Sequence, residues 1–90
     1  MKYDEVKIKE DILNYLYECR ESSPQSMTKI RIAVDLRDTS KGDVRTLKSC
    51  VENLLRKGFI KKQVDRGNYK IEQKGIEHIE KQREIEQQAE

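Results

Sequence analysis

Cys19, Cys50 and His78 carry the side chains best suited to nucleophilic or metal chemistry in this 90-residue chain. Their spacing gives that chemistry little support. A zinc site draws its donors from paired CxxC or HxxxH spacings, and no such pair occurs. Nucleophilic catalysis needs a base beside the Ser or Cys and a third group to orient it, and no Ser/His/Asp, Cys/His or paired-carboxylate arrangement is visible. His78 stands near Glu77 and Glu80 on an acidic segment and reads as solvated. Both cysteines fall inside helical patterns, where they read as small core residues. The expectation is a protein that is not an enzyme and has no cofactor and no metal.

The remaining chemistry is that of cationic and hydroxyl donors, and these are unevenly distributed. Residues 1–27 hold four basic and six acidic side chains, a balance of −2, and residues 71–90 hold three and six, a balance of −3. Residues 28–70 hold twelve Lys/Arg against five Asp/Glu, a balance of +7, so the overall +2 conceals a basic centre between acidic ends. Lys41, Arg45, Thr46, Lys48, Ser49, Lys61, Lys62 and Arg66 fall in that centre. A basic block of this kind suits an anionic polymer docked on one region, and it also suits a merely solvated surface.

The elements that must position these donors follow from periodicity. Ile8, Ile12, Leu13, Leu16 and Tyr17 recur at spacings of three and four and predict a helix over 4–21, with Tyr15 and Cys19 widening its apolar arc. Pro24 ends that helix region. Ser26 is placed to cap a second helix over 27–36 with Ile30, Ala33, Val34 and Leu36 inward, the small Ala33 permitting close helix approach. Residues 37–42 read as a connecting turn. A third helix over 43–57, capped by Asp43 and stopped by Gly58, buries Leu47, Cys50, Val51, Leu54 and Leu55. Its outward residues are Arg45, Lys48, Ser49, Glu52 and Arg56, with Thr46 near the start, a set able to reach base edges and phosphates in a major groove. After Gly58 the period becomes alternating, so 59–71 reads as a β-hairpin turning at Asp65-Arg66-Gly67. Its Lys61, Lys62 and Lys70 could bind a backbone or simply protect an edge strand, and Tyr69 reads as a core-edge aromatic. Residues 73–90 form a last helix, with Ile76 and Ile79 on one face and Ile85 and Ala89 on nearly the opposite one. The fold class expected is α+β, mostly α.

Three stretches carry a resemblance: Met27-Thr28-Lys29-Ile30, then Leu54-Leu55-Arg56-Lys57-Gly58-Phe59-Ile60, then Tyr69-Lys70-Ile71-Glu72-Gln73-Lys74-Gly75. Together they resemble the winged helix-turn-helix DNA-binding superfamily, and most of all the small archaeal winged-helix proteins that dimerise through the C-terminal helix. The likeness covers residues 8–80. It departs from the family at Glu72, where threonine usually caps the final helix, a contact worth on the order of 1 kcal/mol. The final helix is also shorter than in the coiled-coil relatives.

The resemblance implies a domain over 1–72 made of a three-helix core and a β-hairpin wing, with 73–90 as a C-terminal helix and possible dimerisation element. It implies double-stranded DNA as partner and transcription regulation as role. Helix 43–57 would enter the major groove with Arg45, Thr46, Lys48 and Ser49 nearest the bases and Lys41 near a phosphate. Hairpin 59–71 would lie on the backbone or in the adjacent minor groove, led by Lys61, Lys62 and Arg66. A homodimer through helices 4–21 and 73–90 would read a palindromic site. The alternative is a winged-helix protein–protein interaction module in a transcription or replication complex, which the acidic ends would suit. No apolar run reaches the roughly 18 residues of a membrane span and no signal-peptide core is visible, so a cytoplasmic protein is expected, nucleoid-associated if bound to DNA.

Overall fold

A computed structural model of the chain describes residues 4–34, 36, 41–64 and 67–88. Its elements run α1 (Glu5–Glu18), α2 (Met27–Ala33), α3 (Lys41–Arg56), β1 (Ile60–Lys62), β2 (Tyr69–Ile71) and α4 (Gln73–Gln88). This is an α+β, mostly helical domain with one antiparallel hairpin, the fold class and element order expected from the periodicities.

The helix ends are made by local chemistry. Asp4 caps α1 by accepting from the Lys7 amide at 3.1 Å, and Ser26 caps α2 by accepting from the Lys29 amide at 3.2 Å. These bonds satisfy donors that the first turn leaves open. Gly58 ends α3 in the left-handed region at φ 78°. Its amide donates to Leu55 O and the Phe59 amide to Leu54 O, both at 3.1 Å, which closes the helix and turns the chain into β1.

Several boundaries differ from the expectation. α3 begins at Lys41, so Asp43 lies in its first turn instead of capping it, where a carboxylate still favours the positive end of the helix dipole. α1 stops at Glu18 and not at residue 21. α2 stops at Ala33, and its end is held by Arg31, whose guanidinium donates to Leu36 O at 3.0 Å. Ala33 is exposed, so its small size does not serve a helix crossing. The turn residues 37–40, Arg66 and Ala89 lie outside the described residues.

Among the described residues, sixteen apolar side chains form one core, from Ile8, Ile12, Leu13, Leu16 and Tyr17 of α1 through Leu47, Cys50, Val51 and Leu54 of α3 to Ile60, Tyr69, Ile71 and Ile79. Each fully buried aliphatic side chain contributes about 1.5–3 kcal/mol over its exposed state. Ile79 anchors α4 into this core, with Ile76 packed against it.

In the hairpin, Ile60 pairs with Ile71, Lys61 with Lys70, and Lys62 with Tyr69. Gly67, at φ 66°, takes a left-handed turn position that a side chain would strain. The sheet has a third backbone partner that periodicity did not reveal. Gln25 and Tyr69 exchange both N–H···O bonds at 2.8 Å, so the segment between α1 and α2 lies along β2. The Gln25 side chain is buried and satisfied as well, accepting from Tyr15 Oη at 2.8 Å and donating to Ser23 O at 2.6 Å.

Burial raises the Cys50 thiol above its ordinary value of 9.0, and the nearby charge of Glu5 adds to it. Burial likewise raises Tyr15 and Tyr69 above 10.0, aided by Cys19 and Glu52 respectively. In each case the fold favours the neutral acid. Stability from these groups is therefore fully present below about pH 9 and falls as pH rises through the elevated values. The urea midpoint is expected to drop between neutral pH and about pH 10.5, and less so in a Cys50→Ala, Tyr69→Phe variant. An equal drop in both proteins would show that other groups dominate.

Candidate nucleic-acid interface

α3 is two-sided. Leu47, Cys50, Val51 and Leu54 face the core, with Leu55 packed at its edge, and on the other side Arg45, Lys48, Ser49, Glu52 and Arg56 are exposed. Arg45, Lys48 and Ser49 stand at i, i+3 and i+4 and so share one face, with Glu52 and Arg56 following one and two turns on. Thr46 is half-buried at the flank, away from this row. Lys41 opens the helix.

The arginines divide by location. Arg31 is tied to the α2 end through Leu36 O. Arg20 donates to Tyr17 O at 2.8 Å and lies over the Tyr17 ring, 4.0 Å from its centroid. Arg83 lies 4.5 Å from the same centroid and donates to Glu18 Oε1 at 2.7 Å. Arg45 and Arg56, both on the outer side of α3, enter no ion pair among the described residues. Among these arginines, the three with intramolecular partners lie outside α3 and the two that enter no ion pair lie on it.

The hairpin adds Lys61, Lys62 and Lys70, all exposed. Strand alternation splits them. Lys61 and Lys70 are direct cross-strand partners, and the like charges repel at that spacing. Lys62 points to the Tyr69 side, where its Cε would lie 3.5 Å from a Cβ built on Gly67. A polar cleft of about 340 Å³ is lined by Lys61, Gln63, Lys70, Ile71 and Glu72. An anion bound across Lys61 and Lys70 would relieve their repulsion. Burial is the main cause of the raised pKa of Tyr69 on β2, and the charge of Glu52 on α3 adds to it.

The acidic ends meet each other. Along α1 and α4, Tyr17 Oη donates to Glu80 at 3.1 Å, Gln82 to Glu10 at 3.0 Å, and Arg83 to Asn14 at 3.3 Å. The Arg83–Glu18 pair is exposed and contributes little, so Ile79 and the Tyr17 ring carry most of this contact. His78 is not a solvated side chain as its acidic neighbours suggested. Its ring stacks on Phe59 at 5.0 Å with 22° between planes, and both line an apolar cleft with Leu13 and Leu54.

No group of three or more His, Cys, Asp or Glu able to hold a metal occurs among the described residues. No helix among them is long and apolar enough to cross a membrane. No family model matches the chain, and no match was found among the curated proteins or the solved structures.

Proposed function

We propose that the protein is a winged helix-turn-helix that binds double-stranded DNA and regulates transcription, with α3 in the major groove and the β1–β2 hairpin as the wing. The observation that carries this reading is the outer face of α3, where Arg45, Lys48, Ser49 and Arg56 are exposed opposite the buried Leu47, Cys50, Val51 and Leu54. A helix with this division can lie in a groove while its other side remains in the core. Lys61, Lys62 and Lys70 supply phosphate contacts beside it, and Arg66, outside the described residues, is proposed to add to them. Glu52 opposes indiscriminate coating of phosphates and can accept from a cytosine amine, which favours sequence reading over bulk packing.

Electrophoretic mobility of duplex DNA across a salt series tests the reading. Binding at low salt should weaken with a log–log slope near −0.9 per phosphate contacted. No retarded species at low salt would sink it. We further propose a homodimer. The inner faces of α1 and α4 are packed into the core and against each other, so the contact would fall on apolar side chains left exposed, Ile85 of α4 and Val6 at the start of α1. Sedimentation equilibrium should give twice the 10.7 kDa chain mass. A monomer at all concentrations would remove the dimer and leave the DNA reading standing.

A further inference from the structure

The outer side of α3 is not wholly polar. Val44, in the helix's first turns, is 46% exposed, directly before Arg45 and one turn before Lys48. Helix formation does not call for valine there, and nearly half of the side chain is left uncovered by packing. A β-branched residue is a weaker helix former than Lys, Glu or Ala, and an exposed side chain adds little to the core. At about 100° per residue, Val44 lies between the buried row led by Leu47 and Val51 and the cationic row of Lys48 and Arg45. It therefore offers an apolar contact at the edge of the donor face.

We infer that Val44 is a specificity-determining residue that reads the C5-methyl group of a thymine, an inference that rests on the DNA-binding reading of α3. The major groove is polar along its floor except at one kind of atom group, the thymine methyl, and that methyl distinguishes T from C and marks the orientation of an A·T pair. Lys48 and Arg45 beside Val44 supply donors for guanine O6/N7 or for the flanking phosphates. The combination suits a half-site in which a thymine lies next to a G·C pair or a phosphate held by these cations. The recognised chemistry is thus apolar contact at the edge of a row of cationic donors. A protein partner taking the same valine would be indifferent to the base.

The test starts from a duplex selected by this protein out of random sequence, with its fold unperturbed. Each thymine in that duplex is replaced singly by deoxyuridine, which removes the methyl and leaves the base pairing intact. Binding is measured for the wild-type chain and for Val44→Ala, a substitution that favours the helix. At one thymine per half-site, deoxyuridine should weaken wild-type binding about three- to fivefold, the value of one buried methyl. Val44→Ala should bind the thymine duplex more weakly by a similar factor and should be insensitive to that deoxyuridine. Equal wild-type binding to thymine and deoxyuridine at every position overturns the inference while leaving DNA binding intact. So does a Val44→Ala protein that keeps the full deoxyuridine penalty, or a selection that returns no preferred sequence. Absence of any duplex binding at low salt overturns both this inference and the reading on which it rests.

Discussion

Replacing Gly75 with alanine is expected to destabilise the fold by about 2 kcal/mol net and to lower the melting temperature by about 10 °C. Gly75 is buried in the first turn of α4, where that helix crosses the exit of α3 and the end of β2. A Cβ there would run into the Phe59 carbonyl oxygen and stand 2.8 Å from Ile71 Cγ1. The Phe59 carbonyl cannot withdraw freely, because it accepts from the Glu72 amide at 2.8 Å and holds β1 to the start of α4. Two effects oppose each other. Alanine gains roughly 1 kcal/mol of helix propensity over glycine, and overpacking against fixed backbone costs about 3 kcal/mol or more. The clash wins because it falls on backbone and not on the end of a flexible side chain. Thermal melting followed by circular dichroism measures the balance; an unchanged or higher melting temperature would show that the hairpin corner yields easily. The same substitution should turn the hairpin relative to α3, so its loss of duplex binding should exceed its loss of stability.

The second large effect concerns α3. The double variant Arg45→Ala, Lys48→Ala should retain its helical content, since both side chains are exposed and alanine favours helix. Its binding to a selected duplex should fall about a hundredfold, near a factor of ten for each lost cationic contact. The form of the loss separates two roles for the face. If the two side chains hold phosphates, all duplexes should weaken alike and the salt slope should shrink by nearly two. If they reach base edges, discrimination between selected and unrelated duplexes should collapse while the salt slope changes less. Lys81→Ala, which removes an exposed cation from α4, should leave binding within about twofold. A double variant that loses no more than the Lys81 control would remove α3 from the interface.

The legibility of the fold depended on the range of the interaction. The five buried residues of α1 and the buried stripe of α3 were readable because a helix repeats its inner face every three or four residues. Ser26 and Gly58 were readable because caps act within a few residues of themselves. Arg45, Lys48 and Ser49 were likewise legible as exposed, since a helix that buries Leu47 and Val51 must turn them outward. Thr46 was less legible because it sits at the flank, where neighbouring elements decide exposure. Val44 lies at the opposite flank and was missed for the same reason.

Local pattern by itself determined the kind and order of the elements, the inner faces of α1 and α3, and the placement of basic residues on α3 and the hairpin. Contacts between distant segments were decided only in the tertiary structure. Nothing around Gln25 reads as a strand, because a single residue pairing with Tyr69 creates no period. Glu80, Gln82 and Arg83 look like solvated polar side chains until α1 lies beside them. His78 looks acidic in its surroundings until Phe59 arrives from across the chain. Gly75 was visible as the glycine that closes the stretch 69–75, yet the carbonyl that forbids a side chain there belongs to a residue sixteen positions away. Propensity and periodicity are properties of neighbours in sequence, whereas close approach and pairing are properties of neighbours in space.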